Sequence, residues 1–107
     1  MDVIELQRIL NDYLHYLKAE RGLSENTVSS YGLDLQQFIN YLNERKITDL
    51  NDVDKQVIID YLDYLMNKGK ANASIIRCFT SLRKFFQSMK QDEKIQDYPM
   101  ISIETPK

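Results

Sequence analysis

The side chains able to carry chemistry are few and poorly placed for it. The chain has one cysteine and one histidine. A lone thiol excludes an internal disulfide and a cysteine metal cluster. Cys78 stands with Ile75, Phe79 and Leu82 on an apolar helical stripe, which predicts a buried structural thiol. His15 could supply one ligand at most, and no carboxylate spacing around it resembles a metal motif. Asp60 and Asp63 lie three apart on a predicted helix, where a solvated face is the plainer reading than acid/base work. The seven tyrosines mostly fall on or beside apolar stripes. What remains is recognition by hydroxyls, amides and cations.

Two stretches carry that signal. Between residues 68 and 90 there are Lys68, Lys70, Arg77, Arg83, Lys84 and Lys90, and no acidic residue. Within it Ser74, Arg77, Ser81, Lys84 and Ser88 recur at steps of three and four, opposite a core face of Ile75, Cys78, Phe79, Leu82, Phe85, Phe86 and Met89. Small hydroxyls alternating with cations let a helix approach a phosphate backbone closely while neutralising it. The second stretch follows Ser24. There Asn26, Ser29, Ser30, Leu33 and Gln37 share a face without a single charge. Such a face suits base edges and phosphates in a groove; a plain soluble face poor in charge is the competing reading.

Charge is segregated in the same sense. The net charge of −2 argues at first against nucleic acid. Residues 1–65 hold six basic against twelve acidic residues, a net −6, whereas residues 66–94 hold seven basic residues against Asp92 and Glu93, a net +5. A positive segment in an acidic chain can still be an electrostatic footprint for phosphate.

The elements that must position these faces are helices. With 43% hydrophobic residues, 3 Gly and 2 Pro in 107 residues, the composition predicts one all-α domain with a modest core. A first helix over 3–20 buries Leu6, Ile9, Leu10, Tyr13, Leu14 and Leu17, with Val3 extending the stripe and Ile4 and Tyr16 off it. It ends at Arg21 and Gly22. Ser24 is placed to cap a second helix, with Leu23 and Val28 as a hydrophobic staple; Val28, Tyr31, Leu35, Phe38, Ile39 and Leu42 form its stripe. Ile47, Leu50 and Val53 pin a polar connection. Asp54 caps a third helix with Val57, Ile58, Tyr61, Leu62 and Leu65 inward, ended by Gly69. Asn72 is expected to cap the fourth. No apolar run reaches a membrane span and no basic-then-apolar leader opens the chain, so a soluble intracellular protein is expected.

Gly22, Leu23, Ser24, Asn26, Thr27, Tyr31, Asp34, Leu35 and Phe38 form the pattern Gly-Leu-Ser-x-Asn-Thr-x-x-x-Tyr-x-x-Asp-Leu-x-x-Phe. It resembles the N-terminal core-binding (SAM-like) domain of tyrosine recombinases, the family of phage integrases and Xer chromosome-dimer resolvases. Ser74, Ile75, Arg77, Ser81, Leu82, Arg83, Phe85 and Phe86 continue the resemblance with one extra position before Ser81. Tyr98-Pro99 resembles the family's Asn-Pro turn with Tyr in place of Asn, and Thr105-Pro106-Lys107 resembles the Pro-Lys before its linker.

The resemblance implies a four-helix core-binding bundle over 1–98, with 99–107 starting a linker to a C-terminal catalytic domain. It implies double-stranded DNA as partner, clamped on one side for integration or recombination. Neighbouring protomers in a synaptic tetramer, met partly through the first helix, are implied as well, with no membrane, cofactor or metal, in the cytoplasm. Carried over, the DNA contacts are Asn26, Thr27, Ser29, Ser30 and Leu33 on the second helix. On the fourth helix and its lead-in they are Lys70, Asn72, Ser74, Arg77, Ser81 and Lys84. Arg77 is the candidate base reader. Ser30, Gly32 and Leu33 stand where the family often has cations, which implies weaker or shape-based binding by the second helix. The family's catalytic Tyr, Arg, Lys and His or Trp set is not recognisable, so the chain is expected to be a binding fragment rather than the enzyme. A helical protein–protein interaction module without DNA binding is the rival reading. A helix-turn-helix regulator is disfavoured because every helix is long.

Overall fold

The computed structural model describes residues 3–104, Val3 by its backbone alone; Thr105-Pro106-Lys107 lies outside the described residues. Four helices form, α1 (Val3–Ala19), α2 (Glu25–Glu44), α3 (Lys55–Asn67) and α4 (Asn72–Gln91), with a short 3-10 helix at Leu50–Asp52 between α2 and α3. No strand occurs among the described residues, so the all-α expectation holds. They group into two compact units that divide between Asp49 and Leu50.

In the first unit α1 packs against α2. Leu6, Leu10, Tyr13 and Leu17 are buried from α1, and Leu35, Phe38, Ile39, Tyr41 and Leu42 from α2. Each such side chain contributes about 2 kcal/mol by leaving water. Ile4 and Tyr16 are exposed, as their place off the stripe predicts. Gln7 and Gln36 exchange a reciprocal amide pair at 2.8 and 2.9 Å. Further along, a Cβ on Gly32 would stand 3.1 Å from Leu14 Cδ1. These contacts, with Lys18 Nζ 3.2 Å from Glu25 Oε1, run down α1 as they run up α2, so the helices are antiparallel. Gly32 thus has a packing reason beyond its cost of about 1 kcal/mol in helix propensity: it admits Leu14. Burial pushes the Tyr13 phenol up to about 12, and neighbouring Tyr31 acts in the same direction.

In the second unit α3 packs against α4. Ile58, Tyr61, Leu62 and Leu65 from α3 are buried, as are Ile75, Cys78, Phe79, Leu82, Phe85, Phe86 and Met89 from α4. Leu50 and Val53 of the connection join them, and Asp60 and Asp63 are exposed. The chain beyond α4 stays packed: Ile95, Pro99 and Met100 are buried.

The helix ends follow the sequence signals in part. Ser24 Oγ accepts the Thr27 N–H at 3.2 Å and Asp54 Oδ1 accepts the Val57 N–H at 2.9 Å. Asn72 does not cap α4. Ala71 occupies that position and makes no side-chain cap bond, so Asn72 becomes the first helical residue. At their C-termini all four helices are followed by a left-handed residue: Gly22 (φ 65), Lys46 (φ 61), Gly69 (φ 79) and Glu93 (φ 59). The turn lets the next N–H reach back, as Ile47 does to the Leu42 carbonyl at 2.9 Å and Lys70 to Leu65 at 3.2 Å.

Candidate nucleic-acid interface

On α2 the exposed strip holds Asn26, Ser29, Leu33 and Asn40, with Ser30, Gln36 and Gln37 half-buried along its edges. Leu33 keeps 55% of its surface in water, an apolar side chain on an otherwise amide and hydroxyl face. Thr27 belongs elsewhere. It is half-buried, and its Oγ1 accepts from Ser24 Oγ at 3.0 Å while its N–H is held by the same oxygen. Its hydroxyl is engaged in the helix start. Gln36 is engaged too, donating to Gln7 and to Asn40 Oδ1.

On α4 Arg77 and Lys84 are exposed, two turns apart on one face, while Ser74 and Ser88 are half-buried. Ser81 corrects the sequence expectation: at 1% exposure it lies in the interior of the second unit. The buried arc of α4 spans about 160° at about 100° per residue, wider than the apolar stripe alone, and it reaches round to Ser81. The hydroxyl is therefore structural and cannot meet a phosphate from this conformation. The exposed arc is instead completed by Ala73, Gln87 and Gln91. Gln87 and Gln91 carry neither a cation nor a hydroxyl, yet their spacing from Arg77 and Lys84 is legible in the sequence. Thr80, half-buried between them, donates its hydroxyl to the Ile76 carbonyl at 3.1 Å.

The lead-in to α4 adds Lys70 and Asn72, both exposed. Lys68 Nζ lies 4.9 Å from the Tyr64 ring centroid, a cation–π contact. Because Ala71 has no polar side chain, the first N–H groups of α4 gain no side-chain cap there, and the positive end of the helix dipole opens beside Lys70. Cys78 is buried, as its stripe position predicts. Among the described residues no group of three or more His, Cys, Asp or Glu is placed to hold a metal ion. Among them, too, no helix is long and apolar enough to cross a membrane.

Residues 10–93 match the family described as phage integrase, N-terminal SAM-like domain. The chain belongs to that family. Its helices α2 to α4 lie wholly within the matched region. The chain is 40% identical over 100 residues to tyrosine recombinase XerD of Listeria monocytogenes serotype 4b, covering 92% of this chain and 34% of that protein. It is 32% identical over 102 residues to the XerD of Staphylococcus epidermidis RP62A, covering 95% and 35%. A putative tyrosine recombinase of Caldanaerobacter subterraneus, TTE1313, is 34% identical over 101 residues, covering 94% and 34%. The chain thus spans about a third of the length of these curated relatives. No solved structure matches it.

Proposed function

We propose that this chain is the core-binding domain of a tyrosine recombinase and grips one side of duplex DNA at a recombination site. The observation that carries the reading is its match, over 92% of its length, to a third of a protein named a tyrosine recombinase. The chemistry of its exposed faces agrees. Arg77, Lys84 and Lys70 supply cations for phosphates, and the amide and hydroxyl strip of Asn26, Ser29 and Ser30 supplies neutral donors and acceptors. Ser74 and Asn72 extend the first turn of α4, and Leu33 offers an apolar contact for a thymine methyl. Arg77 has the fork to read guanine O6 and N7 together. Thr27 is engaged in the α2 cap, and Ser81 is withdrawn from the exposed face of α4.

In this reading strand cleavage and rejoining belong to a catalytic domain elsewhere in the parent protein, acting on DNA in the bacterial cytoplasm, with neighbouring protomers assembled on the same site. The test is an NMR titration of the chain with a generic duplex at low and moderate salt. Shifts at 26–33 and 70–84 that fade with added salt support the clamp. Shifts confined to α1 that grow with protein concentration would replace it with a protein–protein module.

A further inference from the structure

After α4 the chain does not leave the second unit. Glu93 turns left-handed and the Lys94 N–H returns to the Met89 carbonyl at 2.9 Å, so the backbone reverses. Gln96 is then held at both of its backbone groups. Its N–H donates to Asn51 Oδ1 at 2.9 Å, and its carbonyl accepts from Lys90 Nζ at 2.6 Å. The two partners come from different elements, the 3-10 helix and the last turn of α4. Ile95 before this point and Pro99 and Met100 after it are buried. A residue whose N–H and C=O are both bonded, flanked by buried apolar anchors, behaves as part of an ordered element, not as a tether.

We propose that residues 94–100 form a clasp, with Asn51 and Lys90 as positioning residues, that holds the chain against the second unit beyond α4. The clasp keeps the chain on the second unit past Asp92, and the Ile103 N–H continues the fold by returning to the Met100 carbonyl at 3.2 Å. Its purpose rests on the recombinase reading. A tether with less slack raises the effective concentration of a second DNA-gripping module, which falls roughly as the −3/2 power of tether length once the span is reached. The clasp itself needs no DNA.

The test is amide hydrogen exchange on the whole chain, with trypsin cleavage after Lys94 as a second readout. The Gln96 N–H of the native chain should exchange at least about 10-fold more slowly than a random coil, as an amide in a packed segment does. Asn51→Ala and Lys90→Met should each remove most of that protection and speed cleavage after Lys94, while α1 and α2 amides stay protected. Lys90→Arg, which keeps a cationic donor, should restore it. Random-coil exchange of Gln96 in the native chain overturns the proposal, as does unchanged exchange and cleavage in both variants. If Gln96 is protected and released as expected but the chain never binds duplex DNA, the clasp stands and the recombinase reading of its purpose falls.

Discussion

Removing Arg77 and Lys84 together should weaken DNA binding in a way that salt makes visible. Both side chains are exposed on one face of α4, so alanine there removes no residue of the buried core. Each phosphate neutralised contributes about 0.9 to the slope of log affinity against log salt, so losing two such contacts lowers the slope by about 1.8. At 0.1 M salt the same relation makes the affinity loss about 1.8 log units, or roughly 60-fold. If Arg77 reads guanine instead, the slope falls by only about 0.9 and the remaining loss depends on sequence. The assay is fluorescence anisotropy of labelled duplex between about 50 and 200 mM salt, the range over which phosphate contacts change affinity most visibly. Ser81→Ala is the internal control: buried, it should lower the melting temperature and leave the slope alone. An unchanged slope in the double variant, with its melt intact, would refute the assignment of this face to phosphate.

Four further expectations concern stability. Lys46 holds a left-handed conformation that costs a side-chain-bearing residue about 1–2 kcal/mol. Lys46→Gly should therefore stabilise the chain by about 0.5–1 kcal/mol after the entropy of glycine is counted, whereas Gly22→Ala should destabilise it although open space surrounds that position; urea melts decide both. Ala71 has φ −62 and ψ 146, close to the −64 and 156 of the capping Ser24. Ala71→Ser should supply the missing cap and add about 0.5–1 kcal/mol, read from the same melts. Tyr13, raised from 10.0 to about 12 in the fold, keeps its proton longer when folded than when unfolded. Its contribution is intact below pH 10 and drains away as pH rises through 12, because the unfolded state ionises first. The melting temperature should fall across that window, and Tyr13→Phe should flatten the fall.

Much of the candidate site was legible because it depends on local chemistry. The Ser24 and Asp54 caps, the buried stripe of α4, the exposure of Arg77 and Lys84 and the family pattern from Gly22 to Phe38 all follow from residue type and helical period, while Ile9, Leu14 and Val57 on the stripes of α1 and α3 are only half-buried. What escaped depends on neighbours distant in sequence. A helical wheel locates the middle of a buried face but not its edge, and Ser81 sits at that edge, where packing around α4 closes over it. Whether Ala71 or Asn72 occupies the cap of α4 turns on one residue of register, which propensity does not resolve. Lys46 and Glu93 take glycine-like conformations because the chain must reverse there, and their own chemistry gives no sign of it. The need for Gly32 comes from Leu14, whose Cδ1 would lie 3.1 Å from a Cβ there. The Gln96 N–H is held by Asn51, 45 residues earlier. Helical period and capping are properties of a few consecutive residues and can be read in one dimension. Edges of burial, close approaches and backbone clasps are set by which segments meet, and only the folded chain decides that.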